Sequence, residues 1–201
     1  MSWITTIPRA EADEALRKTY DRISGPDGQI DNILLAHSLR PHTLEGHMAL
    51  YKNVLHHARN VVPKWFLEAI GVYTSQLNRC RYCVLHHRAG LQRQLKDDDR
   101  ARRMMQALTN GVLENAFTPK ECAALSYAQM LTNEPERVSQ AMIQRLHRFG
   151  WSDGEILEIN QVVAYFNYAN RTVLGLGVSS EGEVLGLSPS DEDDPENWSH
   201  R

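Results

Sequence analysis

Pro63-Lys64-Trp65-Phe66-Leu67-Glu68-Ala69-Ile70-Gly71-Val72-Tyr73-Thr74-Ser75-Gln76-Leu77-Asn78-Arg79-Cys80-Arg81-Tyr82-Cys83-Val84-Leu85-His86-His87 is the stretch on which the reading of this 201-residue chain turns. Pro63 suits the opening of a helix, because its fixed φ is helical and its missing N–H is one that the first turn leaves unpaired. The apolar segment Lys64 to Leu77 predicts that helix. Asn78-Arg79 is a short break, and breaks of two or three residues usually return the chain as an antiparallel neighbour. A second helix beginning near Cys80 places Cys83 and His87 at i, i+4, with Cys80 one turn earlier on the same face. At about 1.5 Å per residue, Glu68 lies roughly 13 Å before the turn and His87 roughly 10 Å beyond Cys80, so the two should meet.

Outward from this hairpin the period stays helical, and no run alternates apolar and polar with β-branched enrichment. The expectation is an all-α, single-domain helical bundle. Pro8 should open a first helix to about Ser24, where Leu16, Tyr20 and Ile23 recur at i, i+4, i+7 and Gly25-Pro26-Asp27-Gly28 ends it. A short helix at Asp31 to Leu39 and one from Pro41 to about Ala58 precede the hairpin. After it come Asp97 to Leu108, Thr118 to Leu131, Pro135 to Phe149, and a long last helix from Asp153 to about Leu174. Thr118-Pro119-Lys120-Glu121 and Ser152-Asp153-Gly154-Glu155 read as capping boxes, a hydroxyl and a carboxylate three residues apart each satisfying an orphan amide. The division expected is a helical domain over 1–180 and an acidic tail over 181–201, ending in Asp191-Glu192-Asp193-Asp194-Pro195-Glu196 and either loose or docked on a neighbouring subunit through Trp198.

Charge excludes one class of partner. The formal net charge is -3, but the tail holds seven acids and one base, leaving +3 on the other 180 residues. That is too little to neutralise the phosphates on which nonspecific nucleic-acid binding runs. No apolar run of membrane-spanning length occurs, and Met1 to Pro8 lacks a signal peptide's basic start and apolar core, so no membrane partner and a cytoplasmic location are expected. In a reducing compartment, three cysteines argue for thiol chemistry or metal binding before structural disulfides.

The dense cluster of reactive side chains is Cys80 to His87. A helix N-terminus, with Arg79 and Arg81 nearby, stabilises thiolate, so at least one sulfur should titrate below the ordinary value of about 8.5. Two thiols one turn apart can close a disulfide, one attacking an oxidant and the other resolving the product. A carboxylate beside an imidazole sets its tautomer, which makes a Glu68 to His87 to Cys83 proton relay coherent. His86 points about 100° away from His87 and reads as surface or core filler. Cys122 reads as a small inert hydrophobe. His37, His42, His47, His56, His57 and His147 share no spacing, and Asp97-Asp98-Asp99 is the acidic first turn of a helix.

Rival chemistries fail by their own requirements or stay open. Haem attachment needs histidine directly after the second cysteine, where this chain has Val84. Thioredoxin-type motifs expect a βαβ setting, and neither a dinucleotide loop nor a P-loop is present. Zinc needs about four ligands, of which Cys80, Cys83 and His86 or His87 supply at most three. A redox- or zinc-responsive binding module remains an alternative, as does a lactone or acyl-group enzyme using Glu68 and His87 as acid and base.

Glu68, then eleven residues, then Cys80-x-x-Cys83-x-x-x-His87 resembles the alkylhydroperoxidase D-like branch of the carboxymuconolactone decarboxylase family, in its peroxidase-related group. Ile7-Pro8, Asn32-Ile33-Leu34 before Ser38-Leu39-Arg40-Pro41, and Tyr165-Phe166-Asn167-Tyr168-Ala169-Asn170-Arg171 extend the resemblance over most of the chain. It implies an all-helical fold assembled as homo-trimers or hexamers. It also implies a cofactor-free, metal-free peroxidase or disulfide reductase acting on a hydroperoxide or disulfide and supplied by an external thiol donor. Cys83 would become the sulfenic acid, Cys80 would resolve it, and Glu68 with His87 would relay the proton. Where the characterised pattern carries histidine just before the second cysteine, this chain has Tyr82. Its phenol, with pKa near 10, is a poor base but can donate a hydrogen bond to a bound peroxide or thiolate.

Overall fold

The computed structural model describes residues 1–189, 194 and 197–201. The helices run α1 (Glu14–Ile23), α2 (Asn32–Leu35), α3 (Pro41–Leu55), α4 (Lys64–Leu77), α5 (Arg81–Leu95), α6 (Asp98–Asn110), α7 (Pro119–Asn133), α8 (Gln140–Arg148) and α9 (Asp153–Leu176). Among the described residues there is no strand, only an isolated bridge between Pro189 and His200. The fold is all-α, as the periodicity predicts.

Helix α4 is the axis of the bundle. Every residue from Phe66 to Ser75 is buried, because the segment is apolar on all sides and α3, α5, α6, α7 and α9 pack around it. Gly71 lets α9 approach: a Cβ there would stand 2.3 Å from the ring of Phe166. Only one charged side chain lies in that buried run, Glu68, and a carboxylate in such a place needs a partner.

Both capping boxes form, Thr118 with Glu121 and Ser152 with Glu155. Two helix starts differ from expectation. Pro8 opens only a 3₁₀ turn, Arg9–Glu11, and α1 begins at Glu14, where the Asp13 carboxylate accepts from the Leu16 amide at 2.8 Å and supplies a better cap. Pro135 likewise opens the 3₁₀ turn Pro135–Arg137, and α8 starts five residues later.

The tail returns to the helices. Trp198 is buried against its own chain, with the Arg22 guanidinium 3.9 Å above its ring. Ser188 and Arg201 exchange backbone hydrogen bonds, and Arg93 on α5 donates to Ser188 Oγ at 2.7 Å and to the Arg201 carbonyl at 2.8 Å. The described part of the tail is therefore strapped across α5. The acidic run over 191–196 lies, except for residue 194, outside the described residues.

Candidate active site

The hairpin between α4 and α5 sets the site. The turn closes with the Cys80 amide donating to the Ser75 carbonyl at 2.8 Å and with Arg79 in the left-handed region, φ 58°. That conformation is disfavoured for a residue with a Cβ, and α9 holds the turn against the cost. Asn78 Nδ2 donates to Asn167 and Asn170, each at 3.0 Å, and Asn170 Nδ2 donates to Ser75 Oγ at 3.0 Å. Cys80 thereby becomes the N-cap residue of α5, and Cys83 sits one turn in.

His87 Nδ1 donates to Glu68 Oε2 at 2.7 Å, so the two residues meet as their spacing predicts. Gly90 makes room, since a Cβ there would stand about 3 Å from the Glu68 carboxylate. The Phe166 ring meets His87 edge-on at 4.5 Å. With Nδ1 committed to the carboxylate, Nε2 is the nitrogen that can exchange a proton with a substrate.

Cys80 and Cys83 are both free and buried. Their thiols hydrogen-bond one another, and the pair ionises first at Cys80, which is lowered to about 7. The largest cause is the Cys83 S–H donated to the Cys80 sulfur; the backbone amides of Cys83 and Tyr82 and the Asn170 side chain add to it, against the cost of burial. Cys83 is pushed up for the complementary reason, holding the shared proton beside an existing thiolate. Arg79 and Arg81, expected to help, stand exposed in solvent; the acidifying groups are the second thiol and the first amides of the helix.

A cavity of about 40 Å³ opens beside Cys83, with Glu68, His87, Tyr82 and His86 on its walls. Cys83 faces it and Cys80 does not.

Tyr82 lines the cavity with its ring, but its hydroxyl is committed. It donates to Glu183 Oε1 at 2.8 Å and accepts from the Ile33 amide at 3.3 Å, so its single proton is turned to the tail. His86, expected as filler, is buried on the cavity wall, stacks on Tyr82 at 4.5 Å and donates through Nε2 to Glu183 Oε2 at 3.2 Å. The i, i+4 spacing of Tyr82 and His86 repeats that of Cys83 and His87 and was the available signal for it; nothing local pointed to Glu183.

His47 and His200 also line the cavity, brought there by α3 and the tail. Burial lowers His47 to about 3 and His200 to about 4, so both are neutral imidazoles. Asp31 is raised to about 6, chiefly by burial and in part by Glu183, with His86 opposing. Cys122 lies apart on α7, its thiol raised by burial and donated to the Phe117 carbonyl at 3.6 Å. Asp97 caps α6 by accepting from the Arg100 amide at 2.9 Å. Asn170, which holds the turn through Ser75 and Asn78, is fully buried. Among the described residues no group of three or more His, Cys, Asp or Glu is arranged to hold a metal ion, and no helix is long and apolar enough to cross a membrane.

No family model and no curated protein matches the chain. Solved structures do. The alkylhydroperoxidase AhpD core of an uncharacterized peroxidase-related protein from Ralstonia eutropha JMP134 is 23% identical with TM-score 0.76, over 90% of this chain and 93% of that one. An uncharacterized peroxidase-related protein from Silicibacter sp. TM1040 is 19% identical with TM-score 0.70, over 90% and 92%. A cysteine-to-alanine variant of the debrominase Bmp8, in complex with 2,3,4-tribromopyrrole, is 20% identical with TM-score 0.69, over 89% and 91%. The fold of this chain is the alkylhydroperoxidase D-like fold.

Proposed function

We propose that this chain is a cofactor-free dithiol peroxidase, reducing hydroperoxides or passing electrons between disulfides through the Cys80–Cys83 couple. The observation that carries the reading is Cys83 on the wall of a small buried cavity, with the Glu68–His87 pair at 2.7 Å on the same wall and a second thiol behind it. The peroxidase-related neighbours of like fold support it.

The chemistry follows from the shared proton. A peroxide in the cavity meets Cys83; as this sulfur attacks, its proton passes to the Cys80 thiolate. The O–O bond breaks, Cys83 gains oxygen as sulfenic acid, and the departing alkoxide takes from His87 Nε2 the proton that Cys80 gave up on ionising, the imidazolium being stabilised by Glu68. Cys80 then displaces hydroxide from the sulfenic acid; the thiol's proton goes with it as water, and a disulfide closes. Two thiols and one hydroperoxide thus become a disulfide, an alcohol and water. An external thiol reopens the disulfide by exchange, and homo-oligomeric assembly belongs to the same proposal.

The test is consumption of hydrogen peroxide with a dithiol donor, together with mass spectrometry of the peptide holding both cysteines after one equivalent of peroxide. A Cys80–Cys83 disulfide and a loss of turnover of about a thousandfold or more in Cys83→Ser are expected, as for removal of a nucleophile. Turnover at the wild-type rate in Cys83→Ser would overturn the mechanism. Because the fold also carries a debrominase, 2,3,4-tribromopyrrole belongs among the substrates assayed; a cavity of about 40 Å³ favours the smaller peroxide group.

A further inference from the structure

The wall of the cavity opposite the helices is built by the tail. Gly186, Leu187 and Ser188 line it together with His200. What brings them there is Glu183, whose side chain is only 4% exposed although it belongs to no helix. Its carboxylate accepts from the Tyr82 hydroxyl at 2.8 Å, from His86 Nε2 at 3.2 Å and from the Asn32 amide. Three donors from two helices converge on one acceptor, which pins the tail over the N-terminal half of α5.

Three residues on, the tail touches the helix itself. Gly186 has φ +82°, and a Cβ there would lie 2.7 Å from Ala89 Cβ, so only glycine lets the backbone lie flat on α5. Arg93 then fastens Ser188 at 2.7 Å. The roof is thus fixed at three successive points, Glu183, Gly186 and Ser188, and Leu187 beneath it faces the chamber. A cavity needs about 10–15 Å³ to hold one water. A chamber of about 40 Å³ accordingly takes a peroxide group with little attached to it.

We propose that the Glu183-pinned segment Glu183 to Ser188 is the specificity-determining wall of the site, restricting it to hydrogen peroxide and short alkyl hydroperoxides. This rests on the peroxidase reading above. Glu183 acts as a positioning residue: it touches no reacting atom and works by holding Tyr82, His86 and the roof together.

The experiment compares Glu183→Ala, which releases the pin, and Leu187→Ala, which enlarges the chamber while leaving the pin in place. For each, kcat/KM is measured with hydrogen peroxide and with cumene hydroperoxide. In parallel, alkylation of Cys83 by iodoacetamide and by the bulkier N-ethylmaleimide is followed by mass spectrometry. The ratio of bulky to small peroxide should rise about tenfold in Glu183→Ala and about threefold in Leu187→Ala, with the maleimide to iodoacetamide ratio rising alongside. Taking the ratio of kcat/KM values cancels any loss common to both peroxides, including partial loss of folded protein, and alkylation is compared only on variants whose urea unfolding midpoint matches wild type. Both ratios staying within twofold of wild type in both variants would overturn the proposal. A wild-type protein that consumes no hydroperoxide would instead sink the peroxidase reading, while the alkylation ratios, which need only a thiol, would still decide whether the tail is the wall.

Discussion

Helix α5 is gripped by a carboxylate from each side, and the two grips differ in kind. Glu68 reaches His87 from the adjacent helix, across a turn of three residues, inside a rigid buried hairpin. Glu183 reaches Tyr82 and His86 from the tail, about a hundred residues further along the chain, in a segment without helical structure. Both acids are buried and satisfied; Glu68 lines the cavity, and Glu183 holds Tyr82 and His86, which line it too. The difference teaches what each can do: the hairpin can hold a proton donor to the precision that catalysis requires, whereas the strap can decide what enters.

That contrast breaks most sharply at the carboxylates themselves. Glu68→Gln keeps an acceptor for His87 Nδ1 but removes the charge that stabilises the imidazolium. A fall in kcat/KM for hydrogen peroxide of about 10²–10³-fold is expected, within the usual range for general acid–base groups. The same exchange at Glu183 should lower it by less than about tenfold, since that carboxylate acts through its neighbours. Steady-state assays of the two variants decide the matter. Equal losses would mean that the two grips are not different in role.

A packing test comes next in size. Gly71 lies where α4 and α9 cross, and a Cβ would meet the Phe166 ring at 2.3 Å. Neither helix can retreat without opening the core, so Gly71→Ala should cost about 2 kcal/mol, in the range of overpacking. Phe166 also carries the edge-on contact with His87, so the loss in stability should come with a disturbed site. Urea unfolding with unchanged midpoint would show that the hairpin is less rigid than its burial implies.

The hairpin was legible because its determinants are local. Helical period, a short break and a rise of about 1.5 Å per residue suffice to bring Glu68 to His87. The capping boxes of Thr118 and Ser152 are legible for the same reason, each being settled within four residues. Pro8 misled because its fixed φ suits a 3₁₀ turn as well as a helix, and the Asp13 side chain won the competition to cap. Glu183, His47 and His200 were illegible because nothing in their own neighbourhoods distinguishes them; only the return of the chain over α5 gives them partners. The source of thiol acidity was half legible. The helix N-terminus does contribute through the Tyr82 and Cys83 amides, but the largest cause is the second sulfur, and the two arginines face solvent.

The smallest expected effect separates the two sides by pH. On the strap side Asp31 feels the charges of Glu183 and His86, and His200 Nε2 lies 3.9 Å from it. Asp31 is raised from 3.8 to about 6, chiefly by burial. A carboxyl whose folded pKa lies above its unfolded value takes up a proton on folding. The folded state is therefore unburdened below about pH 4 and loses stability as pH rises through about 6. Asp31 begins α2 with its carbonyl and makes no side-chain cap, so Asp31→Asn removes the charge without removing a cap. The variant should gain about 1–2 kcal/mol over wild type at pH 8 and close to nothing at pH 4. Urea unfolding at the two pH values measures the gain directly. An equal difference at both would mean that the Asp31 carboxyl is not forced to ionise against its surroundings, and the strap side of the site would then be no more strained than the hairpin side.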